Sequence, residues 1–263
     1  MGPDGRLVRL GASSIEDSRL LLDVDGAVFA GGGHSLKRGD DLYSEAAASD
    51  MLNPIFRRWG DVGVKVLTHG NGSQWALQEA IYKEKLRNGQ IEEMPPPHMI
   101  TKETQDLGGG VFKRALPEFT DQNAEIHNTK VVVDPNDMEP RKGTGNWVSG
   151  RESFDQAGVA CLEHPERPGF FREAVPSPRV LDIIALDNIR YEIQAGVLVV
   201  ACGGGGIPVI VKNDEIDLDV SGWDLEGGTE IHQRNYKYVP GRVIVDKDDA
   251  TRELADRLGL QLM

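Results

Sequence analysis

Val199-Val200-Ala201-Cys202-Gly203-Gly204-Gly205-Gly206-Ile207-Pro208-Val209 is the stretch whose reading decides the fold. An apolar run stops in four glycines and a proline, so a strand is expected to end in backbone without side chains. Such a turn brings bare N–H groups close to a ligand, and phosphate is the group this geometry suits. Two more strand ends of this kind lie upstream. Val28-Phe29-Ala30 runs into Gly31-Gly32-Gly33-His34, and Val64-Lys65-Val66-Leu67 runs into Thr68-His69-Gly70-Asn71-Gly72. A single glycine loop is usually only a turn. Three that follow apolar strands point to a site at the carboxyl ends of a parallel sheet, where open α/β folds bind ligands.

Outward from these loops the chain alternates strand and helix. Leu20 to Ala30 reads as two short strands about Asp25-Gly26, a favoured tight-turn pair. Residues 43–60 carry a helical pattern ending near Gly60, and Val62 to Leu67 is a strand. Residues 74–88 read as a helix with Trp75, Leu77, Ile81 and Leu86 near one face, a basic last turn and Asn88-Gly89 as its stop. Met94-Pro95-Pro96-Pro97 is a break, and a helix over 101–116 follows despite the cost of Gly108-Gly109-Gly110. Val131 to Val133 is a strand before Asp134-Pro135. Residues 134–172 are polar and lack periodicity, which predicts a lid or small protruding subdomain. A helix over 179–195, a buried strand over 197–202, a polar insertion over 211–241, a strand at Val243–Val245 and a helix over 248–259 complete the chain. The alternation predicts an α/β sandwich with a mostly parallel sheet.

The length of 263 residues suits one large domain or two small ones. With 29 basic against 42 acidic residues the formal net charge is −13, which argues against nucleic acid or an anionic membrane as the main partner. A polyanionic ligand therefore needs a local basic group, and Asp246-Lys247-Asp248 supplies one directly after Val243–Val245. A lysine held there can aim its ammonium at a phosphate. At about 4 Å and an effective dielectric near 20, a unit charge pair is worth roughly 4 kcal/mol. That energy is catalytic only where the transition state is met better than the ground state. The same residues also read as a solvated charge cluster at a helix N-terminus. Two cysteines, Cys161 and Cys202, give no disulfide framework and read as reduced thiols, with Cys202 a small buried apolar residue. No N-terminal signal and no apolar run of 18 residues is present, so a soluble, cytoplasmic protein is expected. His34 and His69 lie on glycine loops, but no metal spacing joins them.

Taken together, these clusters resemble the carbamate kinases of the amino-acid kinase family. Ala30-Gly31-Gly32-Gly33-His34-Ser35-Leu36 resembles that family's A-L-G-G-N-A-L, and Thr68-His69-Gly70-Asn71-Gly72-Ser73-Gln74 its H-G-N-G-P-Q. Thr104-Gln105 with Gly109 is similar to T-Q-G-x-I-G. Val131 to Pro135 matches the strand leading into the lid, Val175-Pro176-Ser177-Pro178 the V-P-S-P segment, Gly203 to Val209 G-G-G-G-I-P-V, and Val243 to Asp248 V-I-D-K-D. The blocks occur in the family's order over about residues 28–255.

The resemblance implies a single domain over 1–263, a three-layer α/β/α sandwich with the lid at 134–172. It implies reversible phosphoryl transfer between ATP and carbamate through carbamoyl phosphate, in which positioning and charge neutralisation do most of the work. ATP or ADP with Mg2+ would be the nucleotide, a small molecule the substrate, and a homodimer the assembly. Backbone amides of Gly32 and Gly33 would hold the transferred phosphoryl group, with His34 also in the substrate site. Asn71 and Gly72 would frame the carbamate side, His69, Gly70 and Gln105 would belong to the same substrate site, and Gly203, Gly204, Gly205, Gly206 and Ser177 would bind the phosphate or nucleotide. Lys247 would neutralise the phosphoryl group, with Asp246 orienting it. The lid lysine would be Lys142 if two residues are absent before Pro140; an ungapped alignment puts Gly145 there instead.

This sequence departs from the pattern in several places. His34 stands for an asparagine, Asp106 for a glycine and Ser73 for a proline, and the 211–241 insertion exceeds the family's hairpin. Family members continue past the D-K-D helix into a segment that builds much of the adenine site, whereas this sequence stops at Met263. A fragment or short form with impaired nucleotide use is the expectation from that difference. Two other readings stand beside it. A chain that binds carbamoyl phosphate or another small anion without turnover is one. The other is a haloacid-dehalogenase-type phosphatase, which Asp23-Val24-Asp25-Gly26, Leu67-Thr68 and Asp248-Asp249 resemble in its three motifs.

Overall fold

The structure, a computed structural model, describes residues 6–10, 20–24, 44–59, 64–211, 236–258 and 260–262. The loop Gly31–His34, the turn Asp25-Gly26 and most of the 211–241 insertion lie outside the described residues. In chain order the elements are β1 (Arg6–Leu10), β2 (Leu20–Val24), α1 (Glu45–Trp59), β3 (Val64–His69), α2 (Gly72–Arg87) and α3 (Pro97–Ala115). Then come β4 (Ala124–Ile126), β5 (Lys130–Val133), β6 (Pro140–Ser149), α4 (Glu152–Ala157), β7 (Cys161–Glu163), β8 (Phe170–Pro176), β9 (Val180–Ile183) and α5 (Leu186–Gln194). The chain closes with β10 (Leu198–Val200), β11 (Ile207–Val211), β12 (Tyr236–Tyr238), α6 (Lys247–Leu258) and β13 (Leu260–Leu262).

The largest sheet has the order β13-β1-β2-β3-β10-β4, a second has β12-β11-β5-β9, and a third has β6-β8-β7. Parallel pairing occupies the centre: β2 with β3, β3 with β10, β10 with β4, and β11 with β5. Antiparallel pairing is found at one edge of the largest sheet, β13 and β1, and at both edges of the second sheet, β12 and β9, whereas β4 at the other edge of the largest sheet pairs parallel.

The centre is buried on both faces, as parallel strands require. Along β3 and β10 the side chains alternate. Leu67, Leu198 and Val200 join Ala48 and Leu52 of α1 and Val111, Phe112 and Ala115 of α3. Val66 and Val199 join Ile189 and Ile193 of α5 and Ala250 and Leu254 of α6. Helices thus cover both faces, giving the three α/β/α layers.

Two expectations need correction, over 179–195 and over 243–245. Residues 179–195 do not form one helix: Val180–Ile183 pairs antiparallel with β5, and the helix starts only at Leu186. Residues 140–176, most of them within the segment 134–172 expected as a lid, form the antiparallel sheet β6-β8-β7 with α4. Val243–Val245 lies in no strand, although Val245 enters the core and Val243 packs against it.

Candidate functional site

The carboxyl ends of β3 and β10 lie side by side, since Val200 is opposite Leu67. β10 leads through Cys202 into a 3-10 turn at Gly203–Gly205. Cys202 takes a left-handed φ of 52°, and its N–H donates to Thr129 Oγ1 at 2.8 Å. A left-handed non-glycine residue costs roughly 1–2 kcal/mol, so this bond offsets real strain. Gly204, Gly205 and Gly206 follow with φ of 64°, 90° and 92°. Side chains are excluded here by space as well as by φ. A Cβ on Gly204 would run into the Asn71 carboxamide, and one on Gly205 into the Val245 carbonyl.

The turn therefore lies between two helix starts. Asn71 is the N-cap of α2, and Val245 stands two residues before α6. Helix starts carry partial positive charge and unbonded N–H groups, which suit an anion. Asn71 Nδ2 donates to Thr104 Oγ1 at 2.8 Å, tying the start of α2 to α3. Gln105, one residue on, accepts the Thr129 N–H at 2.9 Å, while its Nε2 is buried without a partner. Thr68 Oγ1 and Thr251 Oγ1, 3.3 Å apart, join β3 to α6.

His69 is wedged into this junction. It is 2% exposed, its Nδ1–H donates to the Gly70 carbonyl at 3.0 Å, and its ring lies 5.6 Å from that of Phe112. A Cβ on Gly203 would be 2.6 Å from His69 Nε2, and one on Gly108 2.7 Å from Cε1. Glycine at both positions makes room for the ring, which accounts for a glycine in the middle of α3. Burial pulls the imidazole down to about 4, against a smaller opposing effect of the Gly70 bond, so it is neutral at neutral pH.

The charged side of the site is built from distant sequence. Lys142 Nζ on β6 donates to Asp246 Oδ2 at 2.5 Å across 104 positions. Asp246 Oδ1 accepts the Asp248 N–H at 2.9 Å and so caps α6. Burial raises the Asp246 carboxyl, but Lys142 and the N–H groups of Asp248 and Asp249 outweigh it and hold the carboxyl below its usual range. Lys247, at the first position of α6, lies 3.4 Å from Asp248. Gly145, the alternative to Lys142, is exposed with φ of 74°. The gapped placement is the one that brings a lysine to Asp246.

No family model matches the chain. Among curated proteins, the carbamate kinase-like protein YqeA of Escherichia coli (strain K12) is 25% identical over 250 residues, which are 90% of this chain and 71% of that protein. A carbamate kinase of Trichomonas vaginalis is 30% identical over 205 residues, 72% of this chain and 63% of that protein. Among solved structures, the carbamate kinase of Giardia lamblia bound to AMP-PNP superposes with a TM-score of 0.61 at 23% identity, covering 90% of this chain and 70% of that one. In sequence and in fold the chain is similar to carbamate kinases. It spans 71% and 63% of the length of the two curated relatives.

Within this fold, His69, Gly70, Asn71, Gly72, Gln105 and Gly203–Gly206 are brought together, and Lys142, Asp246 and Lys247 form the adjoining charged side. Ser177 is buried just past β8, whose last residue Pro176 accepts the Ile244 N–H at 3.1 Å. Gly32, Gly33 and His34 lie outside the described residues. Of the phosphatase-like positions, Asp248 and Asp249 lie in the first turn of α6, near Lys247 and bonded to Arg252 respectively. Sequence reasoning missed Thr129 and Arg242. Thr129 sits two residues before the Val131 strand and carries no motif, yet it bonds both Cys202 and Gln105. Among the described residues no helix is long and apolar enough to cross a membrane, and no group of three or more His, Cys, Asp or Glu is placed to hold a metal ion.

Proposed function

We propose that this chain transfers a phosphoryl group between ATP and carbamate, through carbamoyl phosphate. The observation that carries the reading is the convergence of the side-chain-free turn Gly203–Gly206, two helix starts and the Lys142–Asp246–Lys247 group at one end of the parallel strands. Such a site meets phosphoryl oxygens with the backbone N–H groups at the start of α2, which no side chain caps, and with two ammonium ions. The chemistry asks the protein for little beyond that, because phosphoryl transfer is governed by positioning and charge.

Lys247 neutralises the transferred group in this reading. Asp246 sets the direction of Lys142, and the β6-β8-β7 sheet is a lid that carries Lys142 in. The buried, neutral face of Asn71 and Gln105 frames the carbamate side, with Ser177 near the nucleotide. Magnesium enters as part of the nucleotide substrate. A cytoplasmic homodimer belongs to the same proposal. Exposed Ile81 and Leu86 of α2 and Met99 and Leu107 of α3 supply apolar surface for a second copy, which light scattering would weigh.

The test is ATP formation from carbamoyl phosphate and ADP with magnesium. The parent chain should form ATP, and Lys247→Ala should lower the rate by about a hundredfold or more, as loss of a charge-stabilising group does. An unchanged rate in Lys247→Ala would overturn the role of that lysine. Saturable carbamoyl phosphate binding without any ATP formation would replace the kinase by an anion-binding chain.

A further inference from the structure

The run Arg242–Asp246, just before α6, alternates in what it touches. Val243 and Val245 turn into the core. Arg242, Ile244 and Asp246 turn to the lid sheet. Arg242 Nη2 donates to Thr144 Oγ1 at 2.9 Å and Nη1 to Glu173 Oε2 at 3.2 Å. Ile244 N–H donates to the Pro176 carbonyl at 3.1 Å, and Asp246 receives Lys142.

Arg242 is the widest of these attachments. Its guanidinium lies 4.2 Å over the Trp75 ring in the first turns of α2 and 3.8 Å from Glu79 on the same helix. Trp75 is itself fixed, because its Nε1 donates to Thr101 Oγ1 of α3 at 3.2 Å. One side chain thus joins α2, β6, β8 and the entry to α6. The arginine is only 21% exposed, and its Nε is buried without a hydrogen-bond partner, so its charge rests mainly on the contacts of Nη1, Nη2 and the Trp75 ring. Arginine suits such a place, since its plane stacks on a ring while its edge donates twice.

The lid residues it holds are the neighbours of Lys142. Thr144 and Lys142 are two apart on β6 and share a face, and their partners across the strand pair are Glu173 and Val175. Fixing Thr144 and Glu173 therefore fixes where Lys142 emerges. Resting on the function proposed above, we propose that Arg242 is a positioning residue. It docks the lid on α2 so that Lys142 reaches Asp246 beside Lys247, without itself touching the substrate.

Amide hydrogen exchange on the intact chain tests this without relying on activity. Arg242→Ala should speed exchange in 140–149 and 170–176 by about tenfold or more, the effect of losing a charged hydrogen bond, while 64–69 and 198–200 stay unchanged. Glu173→Ala should loosen the same segments, and Arg242→Lys should recover part of the protection, having the charge but not the fork. In the ATP-forming assay Arg242→Ala should lower kcat more than it raises KM for ADP. Lid exchange within twofold of the parent, or an equal rise in the core strands, would overturn the inference. A chain with no phosphotransfer but with lid exchange released by Arg242→Ala would overturn the proposed function and leave the docking role standing.

Discussion

His69 is buried where β3 meets α3 and the Gly203–Gly205 turn. Two glycines from separate elements admit its ring, and burial holds it neutral with its folded-state pKa near 4. Its unfolded value is near 6.5, so the unfolded chain binds more protons between those two values. The stability this residue contributes is complete above the unfolded value and is lost as pH falls through that window. Between about pH 7 and pH 5 the loss is about 2 kcal/mol. His69→Gln should flatten that part of the profile, measured as urea unfolding at the two pH values for parent and variant. Equal losses in both would show that protonation of His69 does not couple to folding. The sequence made His69 a candidate because it stands on a glycine loop. It could not show that Gly108 and Gly203 face the ring, because that closeness exists only once α3 lies beside β3 and β10.

At the scale of elements, the entry to α6 carries most of the charged geometry. Asp246 caps the helix and receives Lys142, and both jobs use the same carboxylate. Asp246→Ala removes both and should cost about 1–2 kcal/mol of stability, the cap contributing most, since a half-exposed ion pair is worth about 1 kcal/mol or less. Asp246→Asn retains a capping oxygen and should cost less than half as much, while still slowing ATP formation because Lys142 loses its charge partner. Denaturant unfolding with the ATP-forming assay separates the two effects. A full stability loss in Asp246→Asn would mean that the ion pair, not the cap, dominates.

Legibility differed among elements for physical reasons. The helix over 101–116 was readable despite its glycines because Ile100, Thr104, Val111, Phe112 and Ala115 keep a buried face. β6 was not readable as a strand, since both of its faces are largely open and no apolar alternation marks it. β9 was mistaken for the start of a helix because its four residues run close to the amphipathic pattern of α5.

Over the whole molecule, the three-layer architecture was legible because the central strands carry apolar runs, Val66-Leu67, Val131–Val133 and Leu198–Val200, buried on both faces. The strand order was not. β3 lies between β2 and β10, whose sequences stand on either side of it by very different distances, and nothing local encodes that pairing. The same holds for Lys142 and Asp246, joined only because β6 returns over the body of the protein. The central claim is that the loops gathered by this topology form one site for a phosphorylated small anion, with Lys247 as its charge. Isothermal titration of the intact chain with carbamoyl phosphate, beside Lys247→Ala, tests it most directly. Saturable one-to-one binding is expected, weakening with added salt, as screened charge pairs do, and lost in Lys247→Ala while its melting temperature stays close to the parent's. The absence of saturable binding, or equal binding by Lys247→Ala, would contradict it.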